Sequence, residues 1–416
     1  MNEQSLLDRC TVNTNFDNNT FVGIQCVEGN YKINFPLGFH MGENDKQLRK
    51  DVILLLNVLK KYTEKRDSQS YSNKKNNIKS FPIIEYLYVI KDFFERGYYK
   101  EIEKNLTISK RGKIDWNKTI KTRKPIIQNN EVYYLDYVIR KSCISENELI
   151  TMIHKYCVYV SFLKLGWLFT SYVPPKPKLL INKKVALHIV CDKLQNTYND
   201  RNKKLFSSLH AILKNDGTDV KNSFEFGTNN FEYVWERMID TVFGINDKSL
   251  YFPKTYWNII NGDTYDNSSL LPDTIMICNN NIYIIDAKYY KYGNTGIYSH
   301  LPDSSSINKQ ITYGEYIVES EKFKDINGKN PIVYNAFIMP FDSQTNLFNT
   351  SKETFFVGIA TSDWKTNINN YENIMGYLMD VKYLMNIDSN EHYNEIVKLS
   401  NIIETDYSIW FSKNNK

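Results

Sequence analysis

Three charged side chains interrupt an otherwise apolar stretch between Ser268 and Lys291: Asp273, Asp286 and Lys288. The stretch reads as a hairpin. Thr274 to Cys278 is a short β-prone run, Asn279-Asn280-Asn281 is a turn signal because Asn tolerates positive φ, and Ile282 to Tyr289 is a second β-branched and aromatic run. Residues two apart on a strand share a face, so Asp286 and Lys288 point the same way. A two-residue turn at Asn279-Asn280 pairs Cys278 with Asn281. Carried down the ladder, that register sets Asp273 opposite Asp286, roughly 5 Å apart. A slip of one residue would turn Asp273 to the other face, so the expectation rests on register.

Ile282, Ile284, Ile285 and Ala287 imply a strand buried on both faces. A buried pair of carboxylates is unfavourable unless something positive joins it. Free carboxyls, with pKa near ~4, are ionised at neutral pH and ready for a cation. Hard oxygen donors select Mg2+ over soft metals, and Mg2+ held by few protein oxygens keeps water and room for a phosphate. Such a site suits metal-assisted phosphodiester hydrolysis. Lys288 would orient the attacking water and offset charge developing on the phosphate. Alone, Asp-x-Lys is usually a solvated surface pair and Pro-Asp a turn. The reading rests on their combination with an apolar hairpin at this spacing.

Other elements must position these groups. Phe224 to Phe243 contains an amphipathic helix with Phe231, Val234, Trp235, Met238 and Val242 on its buried face, flanked by Glu232 and Glu236 at i,i+4. Asp303 or Ser304 can cap a helix through Gln310, Tyr313 and Ile317, placing Gln310 near the hairpin, where it could bind a phosphate or a water of the metal's shell. Ile332 to Met339 and Phe355 to Ala360 read as buried strands. If the strands flanking the Gln310 helix are parallel, their crossover should be right-handed. Tyr371 to Met385 reads as a closing helix, and Tyr393 to Trp410 as another.

Towards the N-terminus, strands at Phe21–Ile24 and Tyr31–Phe35 flank a Glu28-Gly29-Asn30 turn, and a helix is predicted from Leu48 to Tyr62. Arg66 to Lys79 is polar and aperiodic and reads as a linker. Ile84 to Glu103 resumes as helix. A basic stretch follows, with Lys110, Arg111, Lys113, Lys118, Lys121, Arg123 and Lys124 offset only by Asp115. It reads either as a phosphate-contacting surface with Trp116 packing or stacking, or as a solvated basic loop with Trp116 anchored in the core. Ser145 and Glu148 form a capping box before a helix striped by Leu149, Ile150, Ile153, Cys157 and Val160. His154 beside that stripe has no second His or Cys at metal spacing, and reads as a packed or surface side chain. Pro174-Pro175-Lys176-Pro177 is the best domain boundary, and Lys184 to Leu213 looks largely helical. The expected division is residues 1–80, 81–175 and 176–416.

At 416 residues the chain can bury a sizeable core, and a net charge of +5 is mild, so nucleic-acid contact must rest on a local patch. The six cysteines are scattered without a CxxC pair, which argues against zinc and a disulfide framework. No signal segment opens the chain and no apolar run spans a membrane, so a reduced, cytoplasmic location is expected. The 31 tyrosines fit an AT-rich coding genome better than an aromatic-stacking role. No P-loop, GxGxxG, HExxH or nucleophile elbow is present, so nucleotide hydrolysis by this chain alone is not expected.

Pro272-Asp273, twelve residues, then Asp286-Ala287-Lys288 resembles the PD-(D/E)xK nuclease signature. Asp286-Ala287-Lys288-Tyr289-Tyr290 followed by Gln310 and Tyr313 resembles the LlaJI-type restriction endonucleases and their McrC-like relatives. So do Phe231 to Glu236 and Arg111 to Lys121. By eye the resemblance covers roughly residues 110 to 340. It implies an α/β, PD-(D/E)xK mixed-sheet core with helices on both faces, joined to an N-terminal α+β region. It also implies metal binding by Asp273, Asp286 and the Ala287 carbonyl, with Lys288 catalytic. In that superfamily an acid from a preceding helix often joins the metal. Glu236 is the choice for that role, with Glu232 the runner-up and a plain solvated acid the alternative for either. The implied activity is Mg2+-dependent restriction cleavage of double-stranded DNA in phage defence, alongside a McrB-like AAA+ GTPase that residues 1–80 would dock. The rivals are a stand-alone type II enzyme, which could act as a dimer on DNA, and a non-catalytic nucleic-acid-binding protein.

Overall fold

The structure is a computed structural model that describes residues 5–14, 20–63, 81–145, 149–178, 181–215, 223–260, 262–266, 271–324 and 328–414. It divides into two compact units, one built from residues 1–80 with 221–416 and the other from residues 81–220. The predicted linker at Arg66–Lys79 and the capping residue Glu148 lie outside the described residues.

The first unit opens with β1 (Cys10–Val12), β2 (Val22–Val27), β3 (Asn30–Phe35) and α1 (Asp45–Thr63). Strands β2 and β3 form the expected hairpin, with Glu28 and Gly29 at positive φ in its turn.

The second unit runs through α2 (Ile83–Arg96), β4 (Glu101–Ser109), β5 (Lys113–Ile114), α3 (Trp116–Thr122), β6 (Ile126–Gln128), β7 (Glu131–Tyr133), β8 (Tyr137–Ser145), α4 (Leu149–Leu165), α5 (Lys183–Gln195) and α6 (Asp200–Asn215). The helix expected from Ile84 to Glu103 stops at Arg96. Gly97 takes φ +73, which favours glycine, and its N–H closes the helix on the Phe93 carbonyl. The chain then enters β4, which pairs along its length with β8. The Pro174–Pro177 run lies inside this unit.

The chain returns to the first unit at β9 (Phe224–Thr228), which pairs with β2 and completes the sheet β1-β3-β2-β9. It continues through α7 (Phe231–Phe243), β10 (Tyr256–Asn258), β11 (Thr264–Asp266), β12 (Thr274–Cys278), β13 (Asn281–Ala287), α8 (Tyr292–Thr295), α9 (Ser304–Glu319), β14 (Val333–Phe341), β15 (Thr354–Ala360), β16 (Ile374–Asp380), α10 (Val381–Asn386) and α11 (His392–Asn414). A five-stranded mixed sheet of order β12-β13-β14-β16-β15 forms the centre. β13 and β14 are parallel and joined through α9, the arrangement for which a right-handed crossover is expected.

Helices cover both faces of this sheet because its strands alternate between two apolar surfaces. Ile282, Ile284 and Phe337 pack with Ile311, Tyr313 and Ile317 of α9. Tyr283, one residue out of phase, donates its hydroxyl to Glu404 of α11. The segment expected as a helix from Tyr371 to Met385 is instead β16 followed by the short α10. Lying between β14 and β15, β16 is buried on both faces except at Gly376. A continuous apolar run of this kind has no period that separates strand from helix.

Candidate active site

The hairpin forms in the predicted register. Asn279 and Asn280 take φ of 49 and 65, Cys278 pairs with Asn281, and the ladder runs to Thr274 opposite Ile285. Two consecutive positive-φ residues match the twist of the flanking strands. One rung further, the Asp273 and Asp286 carboxyls meet in a side-chain hydrogen bond. Asp273 Oδ2 also accepts the Ala287 N–H at 3.0 Å. Asp286 is only 3 % exposed, and its Oδ2 holds Lys288 Nζ at 2.7 Å. The Lys288 N–H donates to the Ile338 carbonyl, so strand pairing with β14 fixes the lysine's backbone.

The electrostatics of this group are strained. Burial, the Asp286 charge and hydrogen bond, and the Glu236 charge push Asp273 up to about 8, against a smaller opposing effect of the Ala287 N–H. The expectation that both carboxyls behave as free ones at neutral pH therefore fails for Asp273. At Lys288 burial disfavours the charge, but the Asp286 carboxylate and its hydrogen bond outweigh it and the pKa rises.

Glu236, on α7, is close enough to raise Asp273. Glu232 instead accepts from Asn230 Nδ2 at 2.9 Å. Among the described residues no group of three or more His, Cys, Asp or Glu side chains is spaced to hold a metal. The protein donors at the hairpin are thus two carboxylates and nearby backbone oxygens.

Helix α9 runs alongside. Its N-cap Asp303 accepts the Ser306 N–H at 2.9 Å and lies within electrostatic reach of Lys288. Gln310 is buried, and its backbone carbonyl accepts from Asn335 Nδ2, which ties α9 to β14. Neither Gln310 side-chain atom has a hydrogen-bond partner among the described residues. The Tyr313 hydroxyl is equally unpartnered, and burial together with the charges of Asp286 and Asp273 raises its pKa. Buried polar groups without partners are rare and call for a ligand or water.

A cation at the two carboxylates would relieve their repulsion, and Gln310 and Tyr313 offer uncommitted polar atoms on the same side of the sheet. The donor set fits a hard divalent ion with several remaining positions for water and phosphate. Lys248 escaped sequence reasoning. Its Nζ bridges Asp240 Oδ1, at 2.8 Å, and the Asp273 backbone carbonyl, fixing the start of the hairpin. A lone lysine in a loop carries no periodic signal that could have found it.

The basic stretch lies in the second unit. Lys110, Arg111, Lys113, Lys118, Lys121 and Lys124 are exposed, and Arg123 is half-buried. Asp115 caps α3 through the Lys118 N–H and accepts from Arg140 Nε at 3.0 Å. Trp116 is 52 % exposed and meets Tyr137 edge-on, so it is not anchored in a core. His154 is fully buried, and its Nδ1 accepts the Tyr99 N–H at 2.8 Å.

The mixed sheet thus brings two opposed carboxyls and an ion-paired lysine together on its edge hairpin. The family model of the LlaJI restriction endonuclease matches residues 21–364, and the chain belongs to that family. A solved half-complex of Thermococcus gammatolerans McrB AAA+ hexamers with bound McrC is similar over 92 % of this chain and 83 % of that one, at 16 % identity and a TM-score of 0.37. No curated protein matches the chain.

Proposed function

We propose that this chain is a PD-(D/E)xK endonuclease that hydrolyses phosphodiester bonds of double-stranded DNA at or near a specific site with Mg2+. The observation that carries the reading is the Asp273–Asp286 contact, a half-buried carboxyl against a buried one with one amine at hand. Asp273, Asp286 and the Ala287 carbonyl hold the ion, which supplies Lewis acidity to the phosphate when bound. Lys288 leaves Asp286 to orient the attacking water and to offset charge on the phosphate. Glu236 adds negative potential behind the pair and assists the site from α7. Gln310 donates its free amide to a phosphate oxygen or a water. Membership of the LlaJI restriction family supports this assignment.

The exposed basic residues of the second unit, Lys110, Arg111, Lys113, Lys118, Lys121 and Lys124, together with the half-buried Arg123, contact DNA phosphates in this reading. The resemblance of the sequence to McrC-like subunits supports an AAA+ GTPase partner, docked by the N-terminal residues. A stand-alone type II enzyme is the second reading, and the exposed basic face is what favours it. Plasmid digestion in Mg2+ with and without GTP and the neighbouring gene's product separates the two. Cleavage only with partner and GTP supports a cleavage subunit, and full cleavage by the chain alone supports the second reading. No cleavage in any combination refutes the nuclease assignment.

A further inference from the structure

One polar side chain stands in the middle of the central sheet. Asn335 interrupts the apolar run of β14, pairs with Ile284 of β13 and Ile374 of β16, and is fully buried. A carboxamide in such a place is costly unless it is hydrogen-bonded. Its Nδ2 donates twice, to the Gln310 carbonyl of α9 at 2.9 Å and to the Tyr371 carbonyl at 2.6 Å. Tyr371 belongs to the turn at Asn370–Glu372 that leads into β16. Two carbonyls at one nitrogen fix the orientation of the amide, because its own oxygen would repel them.

This clamp holds the helix beside the carboxyl pair. Ile311 and Ile317 press α9 onto Ile284 and Phe337, but apolar contact is non-directional and lets a helix slide. Directional bonds and close approach set its place along the sheet. The close approach is at Gly314, where an added Cβ would lie 2.4 Å from the Cβ of Tyr371, so α9 sits against the same turn that Asn335 bonds. Trp364 and Lys365 bond Asn308 and Glu315 from the loop after β15, and tie α9 to that loop rather than to a strand.

The position of α9 matters to the site. Its N-cap Asp303 lies within electrostatic reach of Lys288, and Tyr313 within reach of Asp286 and Asp273. Gln310 stands between them, about one turn before Tyr313. A slide of α9 by a single residue's rise, ~1.5 Å, would carry the Gln310 amide out of its place beside the pair.

We infer that Asn335 is a positioning residue of this site: by holding the backbone of Gln310 it sets where the Gln310 amide meets a phosphate oxygen or a water. The inference rests on the nuclease reading above and adds a residue that acts only through Gln310.

Single-turnover cleavage by the full-length chain, in the conditions that support plasmid digestion by the parent, tests this in a double-mutant cycle. Asn335→Leu should slow cleavage roughly 10- to 100-fold, the scale of a misplacement of about 1 Å, with duplex affinity in gel shifts unchanged. In the Gln310→Ala background the same change should have almost no further effect, a coupling of roughly tenfold or more. Gly314→Ala, which pushes α9 off Tyr371 and leaves Asn335 intact, should slow cleavage in the same Gln310-dependent way. Circular dichroism checks folding, and Asn335→Thr, which keeps one hydroxyl donor, takes the place of Asn335→Leu if that variant does not fold. A loss by the same factor in both backgrounds makes Asn335 a structural residue only and overturns the inference. Parent-like cleavage by Asn335→Leu or by Gln310→Ala also overturns it, and leaves the nuclease standing on its carboxyls and lysine. A parent that does not cut DNA overturns the nuclease reading and the inference with it.

Discussion

Asp273 and Asp286 share a hydrogen bond one rung beyond the last paired residues of the β12–β13 ladder; the Asp286 carboxylate holds Lys288, whereas Lys248 reaches only the backbone carbonyl of Asp273. The asymmetry divides their roles. Asp286 is ion-paired with Lys288, whereas burial and the neighbouring Asp286 and Glu236 charges raise the proton affinity of Asp273. A cation held by the two carboxyls would relieve the repulsion that raises Asp273.

Mg2+ binding should therefore be coupled to proton release. Below about 8, the raised value of Asp273, apparent affinity should rise with pH by up to about tenfold per unit and then level off. Calorimetric titration in buffers of different ionisation enthalpy reads the released proton directly. Affinity that is flat from pH 6 to 8 contradicts the assignment.

The same shift makes a statement about stability. The folded-state pKa of Asp273 lies above the ordinary value near ~4, so the folded state binds the proton more tightly than the unfolded one. Its contribution is complete below pH ~4 and is lost as the pH rises through about 8. Asp273→Asn keeps an acceptor for the Ala287 N–H and removes the repulsion. It should raise the melting temperature of the metal-free protein at pH 8.5 while abolishing cleavage. A melting temperature that falls instead would show that the carboxylate stabilises the apo fold.

Lys288→Ala should reduce the cleavage rate by roughly 100- to 1,000-fold, the scale of removing one charge-stabilising donor. DNA affinity should be nearly unchanged, because Lys288 is partly buried and tied to Asp286. Single-turnover cleavage and gel-shift binding measured together check this. Equal losses in both would make Lys288 a binding residue only.

His154 gives the second unit a separate acid weakness. Burial depresses its pKa to about 4, so the unfolded chain protonates first. Stability from the neutral imidazole is present above pH ~6.5 and is lost as the pH falls towards 4, by about 3 kcal/mol at most. His154→Asn retains an acceptor for the Tyr99 N–H and should flatten that dependence. Denaturant melts at pH 7.5 and 4.5 for both proteins provide the comparison.

The hairpin and its register were readable because Asn279-Asn280 is a strong local signal and the apolar run allows one register that buries it. The α9 cap was readable for the same local reason, as Asp303 accepts the Ser306 N–H. Non-local pairing left no trace: β9 joins β2 across roughly two hundred residues of sequence, and β16 slots between β14 and β15 with no periodicity of its own. Lys248 reaches Asp273 only through a loop.

The central claim is that Asp273, Asp286 and Lys288 form one Mg2+-dependent centre that cuts DNA. Its most direct test is conversion of supercoiled plasmid by parent and Asp286→Ala protein, each in Mg2+ and in excess chelator, with the partner GTPase and GTP supplied to both. Nicked or linear product from the parent in Mg2+ alone among the four reactions is the predicted result. Equal product from Asp286→Ala, or product in chelator, would contradict it.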